Sequence, residues 1–431
     1  MATSAPGLEE SPAQKEPSDH GLAHLSLSSQ TVHADDFLNQ GQDVAPAMHV
    51  STTFRYNRDA TQLRKWEELD PNIPYEGHIY SRHTAPNTTR FEAILSQILN
   101  GPTLTYSSGL SAFHALLVFL NPSRISIGQG YHGCHGVISL HQKLTGLKKL
   151  PLDCSPEDLQ PGDIIHIETP LNPSGTASNL KEFAEKAHAR GAYLTVDATF
   201  APPPLQDPFL WGADVVMHSG TKYIGGHSDM LCGILAVNPV HEGEKWVEKM
   251  KSERLVLGNV MGNMEGWLGV RSVRTLEIRV LRQAGSTGKL VRWLDAGLYP
   301  EKYLNEKGEM GGEFPTPDET ELIQQVLEEI HHASLQASDI ADGWLPKQMP
   351  HGYGPVFSIL LKGEHLARVL PSKLDLFHHA TSLGGVESLI EWRALTDPTV
   401  DTRLLRVSVG IEGWEDLRGD LVRGFRGLAG L

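Results

Sequence analysis

Between about residues 100 and 235 the chain alternates short, almost unbroken apolar runs with helical patterns. This alternation constrains the fold more than any other feature. "TLTY" is followed by "SSGL" and then "SAFHALLVFL"; "RISIG" precedes a turn rich in Gly and His; "DIIHIE" leads into "TPLNPSGT". In "NLKEFAEKAHARG", Leu180, Phe183, Ala184 and Ala187 share one helical face. Asn179 is placed to cap that helix, with Glu182 in its first turn and Gly191 at its end. "AYLTVDATF" and "ADVVMHS" then read as strands. A strand apolar at every position is one covered on both faces, as in a parallel sheet. The alternation therefore predicts an α/β domain with right-handed crossovers. Ligands in such sheets bind beyond the carboxyl ends of the strands. Ser107–Leu110, Tyr131, Glu168–Asn172, Asp197–Thr199 and Ser219–Lys222 each follow a predicted strand and are expected to converge on one rim.

From about residue 286 the pattern changes. "KLVRWLDAGLYPEKYLNEKGEMGGEFPTPDET" is polar and Gly-rich. "ELIQQVLEEIHHASLQ" reads as an exposed amphipathic helix, with "EEIHH" on its solvated face. "GPVFSILL" and "RLLRVSVGIE" read as strands and "DLVRGFRGLAGL" as a closing helix, which together make a smaller α+β domain.

Composition narrows the function classes. The 431 residues, 40% apolar and 21% charged, suit an ordinary globular protein of two or three domains. A net charge of −15 argues against nucleic acid or an anionic membrane as a partner. Three cysteines, Cys134, Cys154 and Cys232, cannot build a disulfide framework, so a reducing, intracellular setting is expected. No apolar run approaches a membrane span. The first 30 residues lack the basic start and apolar stretch of a secretory signal and read as a disordered tail, which makes the cytoplasm the expected location.

The run "HSGTKYIGGHSD" (218–229) sets one amine, Lys222, among small, hydroxyl-bearing and glycine residues. Such a lysine is either an ordinary loop residue or an amine held to form a Schiff base. Ser108 and Gly109 open a helix directly after a strand, where free N–H groups suit an anion. Ser219 and Thr221 add hydroxyls from another loop. Asp197, at a buried strand end, calls for a helix to cap, an ion-pair partner or a protonated ring nitrogen. Tyr131 either packs or lies flat against a planar ring. Neither GxxxxGK[ST] nor a strand-borne GxGxxG occurs, which counts against nucleotide binding. A phosphate cup, a ring-nitrogen carboxylate, a stacking aromatic and an isolated amine are together what pyridoxal 5′-phosphate (PLP) needs.

At these residues the chain resembles the Cys/Met-metabolism, or transsulfuration, family of PLP enzymes. Besides "SGTKYIGGHSD", the matching stretches run in order: "STTF" (51–54), "YSRHTAPNTTRFE" (80–92), "YSSGLSA" (106–112), "ETPLNPSG" (168–175), "VDATFAPP" (196–203), "SLGGVESL" (382–389) and "LLRVSVG" (404–410). The resemblance covers nearly everything after about residue 30 except roughly 286–345. It implies the type I PLP-transferase fold: a mostly parallel seven-stranded sheet covered by helices, an extended N-terminal arm and a smaller α+β domain. The expected bounds are a tail over 1–30, an arm over 31–78, a PLP-binding domain over 79–280 and a C-terminal domain over 281–431.

The resemblance also implies roles. Lys222 is the Schiff-base lysine and proton shuttle. Ser108, Gly109, Leu110, Ser219 and Thr221 hold the phosphate. Tyr80 and Arg82 reach it from a neighbouring subunit, which implies a dimer or a tetramer with shared active sites. Tyr131 stacks on the ring and assists catalysis. Asp197 binds the ring nitrogen with Thr199 nearby, and Asn172 reaches the ring hydroxyl. Arg406, helped by Ser382, clamps the substrate carboxylate.

Departures from the family pattern gather around the substrate. "YHGCH" stands at 131–135, where the family often has Tyr-Gly-Gly-Thr, and its His132, Cys134 and His135 fit no closed zinc set. Thr381 precedes "SLGG", where many γ-enzymes are acidic and β-lyases often aromatic. "SLIEWR" resembles cystathionine γ-synthase-like proteins. The expected reaction is γ-replacement on an O-acylated L-homoserine by a thiol or a carbon acid. Its rivals are a cystathionine γ- or β-lyase and a catalytically silent PLP-binding homologue. A hydrolase built on "SSG" lacks the G-x-S-x-G elbow.

Overall fold

Most strands of the first sheet are apolar runs that bury both of their faces. In the computed structural model, which describes residues 22–39, 41–65, 68, 77–304 and 313–428, the strands of this sheet are β1 (Thr103–Tyr106), β2 (Arg124–Ile127), β3 (Lys148–Leu150), β4 (Ile164–Glu168), β5 (Tyr193–Asp197), β6 (Val215–Ser219) and β7 (Gly233–Val237). They lie side by side in the order β1-β7-β6-β5-β4-β2-β3. Only β7 is antiparallel to its neighbours, β1 and β6. On β6, Val215 and Met217 join an apolar cluster with Leu104, Phe113 and Ile125, while Val216 joins another with Ile165, Val196 and Leu205. The mostly parallel, doubly covered sheet is as expected.

The covering helices are α1 (Leu27–His33), α2 (Pro86–Ile98), α3 (Gly109–Leu120), α4 (His132–Thr145), α5 (Leu180–His188), α6 (Trp246–Leu257), α7 (Asn263–Val273) and α8 (Leu276–Leu298). Helix α5 buries Leu180, Ala184 and Ala187 on the expected face, with Phe183 half-buried. Asn179 stands at its N-cap position, but its amide donates to Glu182 Oε1 (2.7 Å) and caps no backbone N–H.

The N-terminal order begins earlier than expected. Residues 1–21 of the expected tail lie outside the described residues, but Leu22 and Leu27 pack on the main core. Arg274 donates to the carbonyls of Thr31 and Val32 and pairs with buried Asp35 at 2.7 Å. Asp35 also takes Arg90 at 2.9 Å. Beyond this anchor the arm runs largely exposed, joined to the segment before α2 by Phe54 N to Ile79 O (3.0 Å) and Ser81 N to Thr52 O (2.9 Å). Trp267, on α7, donates from its indole to Pro46 O (3.0 Å), so it ties the arm down.

Helix α8 runs through the expected boundary at 280/281. Its first half, with Leu276, Val280 and Ala284, belongs to the first domain's core. Its second half, with Leu290, Val291, Trp293 and Leu294, belongs to the core of a second sheet. The stretch from 289 to 298 is thus helical and half apolar, where composition read as a polar interruption. Helix α9 (Pro317–Val326) then gives way to β8 (Leu327–His331). The single amphipathic helix expected here is wrong in its second half: Leu327 and Ile330 point into the core and Glu328 and Glu329 out to solvent, as on an edge strand. With β9 (Val356–Leu361), β10 (His378–His379), β11 (Leu389–Trp392) and β12 (Leu404–Ser408), the second sheet runs β10-β11-β12-β9-β8, and helix Trp414–Arg426 packs on its core.

Two apolar residues on α8 test this division. Trp293 is fully buried, whereas Ile278 is 65% exposed. Trp293→Ala is expected to cost about 3–5 kcal/mol in urea unfolding, and Ile278→Ala less than about 0.5 kcal/mol.

Candidate active site

The strand ends meet as the sheet polarity requires. In the ladder, Glu168 at the end of β4 lies opposite Asp197 at the end of β5, and Ser219 at the end of β6 opposite Gly233. Lys222 sits in the turn that follows β6, where its N–H donates to Ser219 O (3.1 Å). The loop 382–385 covers this turn. Gly384 has φ +87°, and a Cβ there would stand 2.8 Å from the Lys222 carbonyl carbon, so no other residue fits. Ser382, also at positive φ (70°), accepts a hydrogen bond from Lys222 Nζ at 2.5 Å. Burial, and then the charge of Arg406, lower the Lys222 amine to about 8, against the pull of Glu391. The bland reading of a solvated loop lysine does not survive this placement.

A cup lies beside it. Ser108 caps α3, its Oγ accepting from Ser111 N (3.2 Å). The N–H groups of Gly109 and Leu110 open the helix without helical partners. A Cβ on Gly109 would stand 3.1 Å from Ser219 Cβ, so glycine lets the two loops close on one space. Thr221 Oγ1 accepts from Cys232 N (3.0 Å), fixing the lysine turn to the start of β7. Thr199 Oγ1 accepts from Ser219 N (2.8 Å), which ties the cup to β5.

Asp197 is buried, and its Oδ1 accepts from Thr199 N (3.0 Å) and Thr199 Oγ1 (2.5 Å). Its Oδ2 has no hydrogen bond among the described residues. Burial pushes its carboxyl up, opposed by the Thr199 bonds. Glu168 is pushed up by burial and by the Asp197 charge, although it accepts from Tyr131 N (2.7 Å) and Asn172 N (2.8 Å). Two carboxyls in one dry corner need a cation. Tyr131 is 38% exposed, with its phenol raised mainly by burial. Cys134 is buried near both carboxyls, which lift its thiol further after burial has raised it. Among the described residues no group of His, Cys, Asp and Glu can hold a metal ion.

Arg406 closes the other side. It is buried on β12, and donates to Asn172 Oδ1 (3.1 Å), Ser382 O (2.9 Å) and Glu391 Oε2 (2.5 Å). Glu391, its cross-strand partner on β11, escaped the sequence reading. A carboxylate inside the apolar run "LIEW", matched by an arginine inside "LLRVSV", was the available signal. Tyr80 and Arg82 are not brought to the site of their own chain. Tyr80 is 40% exposed and bridges to Thr53, and Arg82 Nη1 donates to Leu255 O (3.2 Å). His227 holds the turn after Lys222 through Gly225 O (2.9 Å).

These residues fit PLP. Gly109 keeps a cup open at a helix N-terminus, Asp197 has one oxygen left for a protonated ring nitrogen, and Lys222 supplies an amine that burial lowers to about 8. Two outcomes follow. Gly109→Val is expected to weaken PLP binding by roughly tenfold or more, about 1.4 kcal/mol, in a spectroscopic titration. For the amine, a lowered pKa means the reactive neutral form appears as pH rises through about 8 rather than 10.5. The rate at which apoprotein captures PLP should therefore climb through about 8 and level off above it.

Comparisons with known proteins agree with this geometry. The chain matches the family described as Cys/Met metabolism PLP-dependent enzyme over residues 28–301 and 323–426. The unmatched 302–322 is narrower than the 286–345 set aside from sequence. A cystathionine gamma-lyase of Saccharomyces cerevisiae is 28% identical over 92% of this chain and 96% of its own length. A cystathionine beta-lyase of Lactococcus lactis subsp. cremoris is 30% identical over 79% of this chain and 87% of its own. Among solved structures, metB from Corynebacterium glutamicum superposes with TM-score 0.77 at 26% identity, over 94% of this chain and 99% of that one. Apo CalE6, a methionine gamma lyase from Micromonospora echinospora, gives 0.75 at 30% identity, over 93% and 99%. With its lysine, cup and buried aspartate in place, this chain belongs to the Cys/Met metabolism family of PLP-dependent enzymes.

Proposed function

We propose that this enzyme replaces the γ-substituent of an O-acylated L-homoserine with a thiol. The observation that carries the reading is the Lys222 amine, part-buried, lowered to about 8 and held beside Ser382 and Arg406. Bound at Asp197 and the α3 cup, PLP supplies the electron sink for charge that develops at the substrate α-carbon. Arg406 binds the α-carboxylate with its guanidinium fork. That contact aims the Cα–H bond at Lys222 Nζ, which takes the proton. A base working near its own pKa can give the proton back, so Lys222 also serves the second removal, at Cβ, that γ-chemistry needs. The Cγ–O bond then breaks and the acyl group leaves as a carboxylate. The thiol sulfur bonds to Cγ, its proton is released, and the protons taken from Cα and Cβ are returned. Tyr131, at the mouth of the site, would pack on the ring and limit the water that reaches these transfers.

Thr381, exposed beside Ser382, is not the aromatic residue often found there in β-lyases. Nor is it the acidic residue of many γ-enzymes, so this position favours neither branch. A second reading, γ-elimination, is favoured by the names of the relatives, among them cystathionine and methionine gamma-lyases. A homo-oligomer is part of the proposal: Tyr80 and Arg82 lie in the segment before α2, joined to an arm with exposed Val50 and Tyr56, and a neighbouring copy's cup receives them. A cytoplasmic location completes it; among the described residues no helix is long and apolar enough to cross a membrane.

Product identification from O-acetyl-L-homoserine, with and without cysteine, tests the reaction. Thioether formation only with the thiol supports replacement. Release of 2-oxobutyrate and ammonia without any thiol, undiminished when cysteine is added, overturns it in favour of the lyase. Lys222→Ala should remove the visible band of the holoenzyme, and its persistence would dismiss Lys222 as the anchor. Arg406→Ala should raise KM for the amino acid roughly a hundredfold, and an unchanged KM would dismiss the clamp.

A further inference from the structure

Glu391 does not serve Arg406 alone. Its Oε2 also takes Arg393 Nη1 at 3.1 Å, and its Oε1 accepts from Thr396 Oγ1 at 2.9 Å. Arg393 follows β11 directly; it donates to Thr396 Oγ1 (3.1 Å), and its other nitrogen stands 3.6 Å from Asp397. All four charged groups are buried: Arg406 5%, Glu391 2%, Arg393 3% and Asp397 7% exposed. Charges of alternating sign thus run from the substrate end of the site, Arg406 first and Asp397 last. We propose that Arg393 is a positioning residue for the substrate carboxylate: by sharing the Glu391 carboxylate, it leaves Arg406 the charge it needs to hold an α-carboxylate.

The reason is a competition. A buried arginine paired with one carboxylate is a neutral unit, and a second carboxylate gains little by approaching it. When that carboxylate is divided between two guanidinium groups, its hold on Arg406 is weakened, while Asp397 balances Arg393 at the far end of the row. Arg393 has no other route to the site, since among the described residues it hydrogen-bonds only Glu391 and Thr396. Its field still reaches the mouth: after burial, Cys134 and Glu168 raise the Tyr131 phenol, and Arg393 and Arg406 oppose them. The charged groups that bear on the Lys222 amine are Arg406 and Glu391, so Arg393 acts on that amine through Glu391. Its Nε is enclosed without a partner, which places the residue for its Nη contacts rather than for solvent.

The inference rests on Arg406 as the clamp, and the test separates the two. In the PLP-loaded enzyme, Arg393→Gln should raise KM for the amino-acid substrate roughly tenfold while kcat changes less than about threefold. The pH midpoint of the visible band at Lys222 should rise by roughly half a unit or more, because Glu391 is left less compensated. Arg393→Lys, which keeps the charge, should recover most of both. If Arg393→Gln folds poorly, Glu391→Gln with and without Arg393→Gln answers the same question. Glu391→Gln alone should lower the midpoint, and adding Arg393→Gln should bring it back up. A shifted KM for Arg406→Ala with an unmoved KM and midpoint for Arg393→Gln would overturn the inference and leave the clamp standing. An unmoved KM for Arg406→Ala would overturn both.

Discussion

One guanidinium joins the two halves of this molecule. Arg406 belongs to the second sheet, yet it bonds Asn172 from the first domain and Ser382 and Glu391 from the second. Because it is buried, each missing partner would cost more than an exposed pair could return. The chain therefore cannot satisfy Arg406 unless both domains are packed in one arrangement. That arrangement brings the loop 382–385 down on the lysine turn. The requirement explains why glycine stands at 384, where any side chain would strike the backbone beneath. The distance between amine and clamp is set by domain packing, and helix α8, shared by both cores, makes that packing stiff.

Across the rim, the Glu168–Asp197 register is the complementary constraint. Parallel pairing places two carboxyls side by side, and burial disfavours charge on either. Glu168 is tied to the backbones before α4 and after β4, so it holds the Tyr131 and Asn172 loops in register. Asp197 is steadied from one side only. Of these two carboxyls, Glu168 is thus pinned by two loops, while Asp197 keeps one oxygen without a hydrogen bond among the described residues.

The sheet was legible because most of its strands are short, nearly continuous apolar runs alternating with helical patterns. The rim followed from topology alone, and Lys222, Asp197, Gly109 and Ser219 fell on it. Three things were not legible. Val326 and Leu327 adjoin in "ELIQQVLEEI", and nothing local marks the change of period between helix and edge strand. The apolar stripe of α8, with Trp293 at its centre, was diluted by the charged residues on its outer face. Glu391 was hidden because a carboxylate in a strand has meaning only once its partner across the ladder is known. Tyr80 and Arg82 rested on resemblance alone, and a single chain offers no geometry for them.

The antiparallel strand β7 has a further consequence. Gly233 opens it directly opposite Ser219, so the chain leaves the rim and comes back to it without travelling to the far end of the sheet. The lysine therefore rides on a short excursion clasped at both feet, by Thr221 and Cys232, and not on one of the long crossovers that carry the other loops. Between its feet the segment is held as well, with Tyr223, Ile224 and Met230 buried in the main core. Its amine swings on four methylenes from a fixed hinge, a crane arm whose base does not move.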